Sequence, residues 1–154
     1  MDLNLEWGKP LPLRKSTGNT IYSLDLEKIP KTPGVYIFLR VHGDSVNVLY
    51  VGKADNLKGR IKQQLDAVRL MRGIENAPSG KRWLAFGEFR PKQGQRANCL
   101  RLIESGLIRY YLAQGNELLN IQGIRIRKHS LTSERNSTIA RRMIPTEIFF
   151  EHRE

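Results

Sequence analysis

The sequence predicts an α+β domain: a small central β-sheet of three core strands, antiparallel or mixed, flanked by helices. Three observations predict it. Two runs rich in β-branched and aromatic residues, 35–41 (VYIFLRV) and 46–51, flank the turn-forming His42-Gly43-Asp44-Ser45. From Asn56 the apolar spacing changes from two to between three and four, the signature of a helix. A third strand-like run at 82–89 and a second helical run at 95–114 follow, without the strict strand–helix alternation of a parallel sheet.

Residues 1–20, with Gly8, Pro10, Pro12 and Gly18, read as an irregular arm, and a short strand is expected around Tyr22–Leu26. Pro30 and Pro33 bracket a turn ending in Gly34. The two runs at 35–41 and 46–51 then form a hairpin. A two-residue turn, Gly43-Asp44, would put Tyr36 and Tyr50 on opposite faces, and a three-residue loop through Ser45 would put them on one. The first helix, capped by Asn56 or Asp55, carries Leu57, Ile61, Leu65 and Val68 and ends near Gly73. Glu75–Gly80 is a loop, Arg82–Phe89 a strand, and Pro91–Gly94 a break. The second helix spans Gln95–Gln114 with the stripe Leu100, Ile103, Leu107 and Tyr111, and Gly115-Asn116 stops it. Leu118-Leu119-Asn120 starts a short turn. Beyond it are expected a strand over Gly123–Leu131, a short helix from a Ser133 cap through Met143, a break at Pro145 and a last apolar element at Ile148–Phe150.

The 154 residues fit one domain with a sizeable core. Lys and Arg number 26 against 15 Asp and Glu, a net charge of +11, and a field of that sign collects polyanions, nucleic acid first and anionic membrane second. Cys99 is the lone cysteine, so no intramolecular disulfide or multi-cysteine zinc site exists, and it reads as a core residue. The N-terminus lacks a signal-peptide pattern and no apolar run is long enough to span a bilayer, so the expected location is cytoplasmic. His42, His129 and His152 lack metal-ligand spacing, and Trp7 and Trp83 read as packing residues.

Glu104 sits inside the apolar stripe of the second helix, where a carboxylate is costly unless paired or bound to metal; a salt bridge to a core-edge arginine is the plain alternative. Gly106 suggests close approach of backbone or ligand. Arg60 falls at the edge of the buried face of the first helix, where its fork suits a phosphate, although a solvated helix arginine is the common case. Gly52-Lys53 ends a strand, the glycine permitting close approach and the lysine offering a point charge; the spacing of a Walker loop is absent. Tyr36 and Tyr50, taken singly, are strand packing residues.

Together these residues resemble the GIY-YIG nuclease superfamily. Gly34-Val35-Tyr36 matches its first signature and Tyr50-Val51-Gly52 its second. Lys53 directly after YVG, and Arg60 eight residues past Gly52, look like the nuclease module of the bacterial excision-repair incision subunit. Glu104 fits the family's metal-ligand glutamate and Asn120, in LLN, its structural asparagine. The resemblance covers residues 30–121, leaving 1–29 and 122–154 as extensions. The stretch between the first helix and Glu104 is longer than expected, consistent with an inserted loop at Glu75–Gly80.

The resemblance implies a divalent-metal-dependent endonuclease using one Mg²⁺ (or Mn²⁺) held by Glu104. It casts Tyr36 as the base that activates water, with its pKa lowered by Lys53, Arg60 and the metal. Tyr50 assists, Lys53 and Arg60 steady the phosphate charge, and Gly34, Gly52 and Asn120 brace the site. It also requires Tyr36 and Tyr50 to share a face, hence an odd-numbered hairpin loop. DNA is the implied partner, RNA is not separated from it by charge, and a homodimer or a partner protein would aid targeting. Arg125, Arg127, Lys128, Arg135, Arg141 and Arg142, against Glu134 alone between Ile121 and Arg142, offer a nucleic-acid-tracking surface or equally a solvated edge. A catalytically silent nucleic-acid-binding module and a basic adaptor protein are the competing readings.

Overall fold

The structure, a computed structural model, describes residues 2–95, 98–121 and 126–153. The strands are β1 (Leu5–Trp7), β2 (Leu11–Pro12), β3 (Arg14–Lys15), β4 (Tyr22–Ser23), β5 (Gly34–His42), β6 (Ser45–Ala54), β7 (Lys81–Phe89), β8 (Ile126–Thr132) and β9 (Glu147–Arg153). The helices are α1 (Leu57–Leu65), α2 (Val68–Glu75), α3 (Asn98–Ala113) and α4 (Thr138–Met143), with short 3-10 turns at Leu26–Lys28 and Leu119–Ile121. The α+β class holds. Every described strand pairing is antiparallel, so no mixed sheet forms among them.

The central sheet runs β1-β7-β5-β6, with β2 also paired to β7. β7, β5 and β6 are the three expected core strands. The N-terminal arm is less irregular than its turn formers suggest, because β1 and β2 pair with the outer edge of β7. Alternation along the strands sends Tyr36, Phe38, Leu84 and Phe86 to one face, where they pack with Leu57, Ile61, Leu65, Met71 and Ile74 of α1 and α2. Val35, Ile37, Val51 and Phe89 take the opposite face, under α3 with Cys99, Leu100, Ile103 and Leu107.

Asn56 caps α1, its Oδ1 accepting from the Gly59 N–H at 3.0 Å. The single helix expected through Gly73 is in fact two. Asp66 ends α1, and Ala67 is extended, so the apolar phase restarts. Val68 is therefore 59% exposed, and Met71 and Ile74 are the buried residues of α2. The loop at 76–80 is organised by Arg82, only 9% exposed, whose guanidinium donates to the carbonyls of Ile74, Glu75, Ala77, Pro78 and Gly80 at 2.7–3.4 Å. Five acceptors satisfy a buried cation that no carboxylate meets among the described contacts.

After α3, β8 and β9 form a separate two-stranded hairpin with α4 between them. Ser137, not Ser133, caps α4, accepting from the Ala140 N–H at 3.1 Å; Ser133 instead pairs its backbone with Thr146. The start of the strand expected from Gly123 lies outside the described residues. Among those described, no helix is long and apolar enough to cross a membrane.

Candidate active site

The hairpin turn is Gly43-Asp44, with His42 opposite Ser45. The expectation of an odd-numbered loop is therefore wrong, yet Tyr36 and Tyr50 do share a face. The register shifts between Phe38 and Leu39: Leu39 pairs with Val48 and Phe38 with Tyr50, leaving Leu49 as the extra residue of a β-bulge. The bulge supplies the one-residue slip assigned to the loop. Beyond it, Tyr50 and Gly52 lie opposite Phe38 and Tyr36 on one face. The two tyrosine rings stack at 6.2 Å between centroids.

Gly52 is required by this pairing. A Cβ on it would overlap the ring and hydroxyl of Tyr36 directly across the ladder. The glycine makes room for the tyrosine, and only through it for anything bound. Gly34 is similarly confined, since its Cβ would strike the Gly87 carbonyl and Leu57. A Cβ at Gly106 would meet no described atom within 4 Å, so no other backbone approaches it closely.

β6 is an edge strand of the sheet, and its outward amides need partners. Asn120 provides them: its Oδ1 accepts from the Val51 N–H at 2.9 Å and its Nδ2 donates to the Val51 carbonyl at 2.6 Å. Asn116, four residues earlier, braces one amide only: its Oδ1 accepts from the Val48 N–H at 2.9 Å, while its Nδ2 donates to the Tyr111 carbonyl at 2.9 Å. The bulge explains why the two braced amides are three residues apart instead of two. The bracing geometry assigned to Asn120 is present; Asn116 was read only as a helix stop.

A polar cleft of about 280 Å³ opens over this edge. It is lined by Tyr36, Tyr50, Gly52, Lys53, Ala54, Asp55, Arg60 and Glu104. Lys53 and Arg60 are exposed, and the Arg60 guanidinium approaches both Gln63 and Tyr36. Glu104 reaches the cleft from α3, on the far side of the sheet from the tyrosines' helix. It is partly buried, and among the described residues no ion pair closes on it, so the alternative of a salt bridge to a core-edge arginine is not realised. Desolvation pushes its pKa up, opposed by the Lys53 ammonium and backbone amide and by Arg101 and Arg60.

Tyr36 differs from expectation. Burial pushes its pKa up to about 12, and donors from Gln64 and Arg60 only partly oppose this. Its hydroxyl lies in the core interior of the cleft, where desolvating a phenolate outweighs nearby positive charge. The lowering expected from Lys53 and Arg60 is thus overridden in the protein by itself.

The sequence reading missed Gln64. It is 8% exposed, and its Nε2 donates to the Tyr36 hydroxyl at 2.7 Å and to the Tyr50 hydroxyl at 3.4 Å. The available signal was its position three residues after Ile61, on the stripe with Leu57 and Leu65. Asp55, a cap candidate by sequence, also lines the cleft.

Among the described side chains, Arg135, Arg141 and Arg142 are not part of the cleft lining. Arg135 and Arg141 hold the α4 turn together through backbone carbonyls at 3.2–3.4 Å, and Arg142 is exposed. Arg127 and Lys128 stand on β8; Arg125 lies outside the described residues.

No family profile matches the chain, and no solved structure matches it. Two curated relatives match in part. The UvrABC system protein C of Chelativorans sp. (strain BNC1) is 38% identical over 60 residues, 39% of this chain and 9% of that protein. The UvrABC system protein C of Thermus thermophilus is 39% identical over 61 residues, 40% of this chain and 10% of that protein. The chain thus spans about a tenth of the length of these relatives. Both partial matches agree with a GIY-YIG nuclease-like module.

Proposed function

We propose that the chain is a divalent-metal-dependent endonuclease that hydrolyses DNA phosphodiester bonds in the polar cleft at the β6 edge. The observation that carries this reading is the convergence, in one cleft, of two phenols, two cations and a carboxylate that forms no ion pair among the described residues, contributed by β5, β6, α1 and α3.

The residues fit a hard cation. Among the described residues no group of three or more His, Cys, Asp or Glu side chains gathers, so the protein itself offers Glu104 and at most Asp55. Mg²⁺ commonly accepts one or two carboxylates and completes its shell with water and phosphate oxygens. A cation beside Glu104 would also offset the desolvation that raises its pKa. When bound, such an ion supplies Lewis-acid stabilisation of the leaving oxygen.

The chain's own residues do the rest. Lys53 and Arg60 hold phosphate oxygens and stabilise charge that builds on them. Arg60 acts as a planar fork and Lys53 as a point charge. Burial keeps Tyr36 a neutral phenol in the protein by itself, so it first gives its own proton to solvent and then, as the phenolate held by Gln64 and neighboured by Arg60, takes a proton from the attacking water; Tyr50, hydrogen-bonded to the same amide, orients that water. Asn120 and Asn116 keep the edge strand in place, so the cleft does not widen.

Nicking of supercoiled plasmid with Mg²⁺, with Mn²⁺ and with EDTA tests the proposal, using the intact protein and Glu104→Ala. Metal-dependent nicking that disappears in the variant is expected. Salt-sensitive DNA binding without cutting by either metal would favour the silent binding module.

A further inference from the structure

Among the described residues, α3 covers only one end of its face of the sheet. The helix stops at Ala113, while β5 and β6 continue to the turn at Gly43-Asp44. Between the end of α3 and β1 lies a cavity of about 510 Å³. Its floor is Ile37, Leu39 and Val48, its walls are Trp7 and Tyr110, and Gln114 stands among the lining residues. None of its described lining residues is charged. Trp7 lies against Gly87, where ring atoms come within 3.2–3.3 Å of the position a Cβ would take, yet it remains 45% exposed. Tyr110 is 57% exposed and packs edge-on against Tyr111.

We propose that this cavity binds a nucleobase of a single nucleic-acid strand whose phosphates reach the polar cleft, an inference that rests on the nuclease reading of that cleft. Exposed aromatic rings that wall a neutral cavity suit a flat, uncharged ring, and base–aromatic stacking is the usual means of holding an unpaired base. An amide such as Gln114 can both donate to and accept from a base edge. The chain carries +11, which draws in the sugar–phosphate strand, while the uncharged lining accepts its one apolar component.

The spacing agrees. Glu104 lines the cleft and Tyr111 the cavity, seven residues apart on one face of α3, which is about 10 Å along the axis. Along β6, Val48 lines the cavity and Lys53 the cleft, about 16 Å apart on an extended strand. A stacked strand advances about 3.4 Å per nucleotide, so the bound base would lie roughly three to five nucleotides from the phosphate in the cleft.

The test is binding in EDTA, so that it does not depend on cutting. A single DNA strand of about twelve nucleotides is compared with an abasic strand of the same length and charge. The intact protein should prefer the strand with bases by roughly tenfold or more, Tyr110→Phe should retain the preference, and Tyr110→Ala should lose most of it. In a Trp83→Phe protein, the base-containing strand should quench Trp7 fluorescence and the abasic strand should not. Equal binding of both strands by the intact protein would overturn the proposal. So would a preference unchanged in Tyr110→Ala, or Trp7 fluorescence indifferent to DNA, results that would fit a partner helix in the cavity instead. Loss of plasmid nicking with the base preference intact would count against the nuclease reading alone.

Discussion

The Nε2 of Gln64 donates to the hydroxyl of Tyr36 at 2.7 Å, linking the buried face of α1 to the central strand β5. The same amide reaches Tyr50 at 3.4 Å. One side chain therefore fixes both phenols, and the phenol oxygen of Tyr36 accepts before any water or substrate enters.

Gln64→Leu should lower cleavage by about tenfold, the worth of one hydrogen bond made in the transition state. It should also move the ascending limb of the pH–rate profile to higher pH, because the donor that opposes the raised pKa of the base Tyr36 is gone. A drop in rate with an unmoved profile would leave Gln64 a packing residue.

The raised pKa of Tyr36 has a sign for stability. The phenol titrates near 10 in the unfolded chain and near 12 when folded, so the unfolded state releases its proton first. Stability contributed by the neutral buried phenol is full below pH 10 and falls as pH rises from 10 to 12. Across that window the loss is about 2–3 kcal/mol for this one group. Tyr36→Phe should unfold with a shallower alkaline limb than the parent, measured by urea melts at stepped pH.

Glu104→Gln should abolish cleavage and, without metal, raise the melting temperature slightly near neutral pH. A carboxyl whose folded pKa is raised destabilises the folded state once it is ionised. Adding Mg²⁺ should stabilise the parent and leave the variant unchanged, since only a bound ligand shifts the equilibrium. Equal Mg²⁺ shifts in both proteins would remove Glu104 as the metal's holder.

Asn120→Ala removes both hydrogen bonds to Val51 on the edge strand and should cost about 1–3 kcal/mol. Amide exchange at Val51 should speed up, while exchange on the central strand β5 should be spared. A uniform loss of protection would mean that Asn120 supports the whole fold and not the edge alone.

Gly52→Ala places a methyl group on the ring of Tyr36 and should destabilise by about 1–3 kcal/mol. Combined with Tyr36→Ala, much of that cost should disappear, because the overlap is with that ring. A double-mutant cycle reads this directly.

Some of the site was legible because its signals are local. Gly34-Val35-Tyr36 and Tyr50-Val51-Gly52 announce two strands, Asn56 announces a cap, and Glu104 is visible as a charge in an apolar stripe. Val68 shows where periodicity misleads: it keeps the stripe's spacing, but the break at Asp66 and Ala67 turns it outward. Gln64 was hidden because a polar residue on a buried helical face announces no partner until the facing strand is known.

The sequence by itself determined the α+β class, the hairpin, the main helices and the residue types at the cleft, since strand propensity, helical period and capping act over a few neighbours. Only the tertiary structure decided how those residues meet. A bulge at Leu49, and not the hairpin turn, brings Tyr36 and Tyr50 to one face. Burial against α1, outweighing nearby cations, sets the pKa of Tyr36. The end of α3 leaves a neutral aromatic cavity beyond the cleft. Each depends on register and desolvation between segments distant in the chain, quantities that no local pattern encodes.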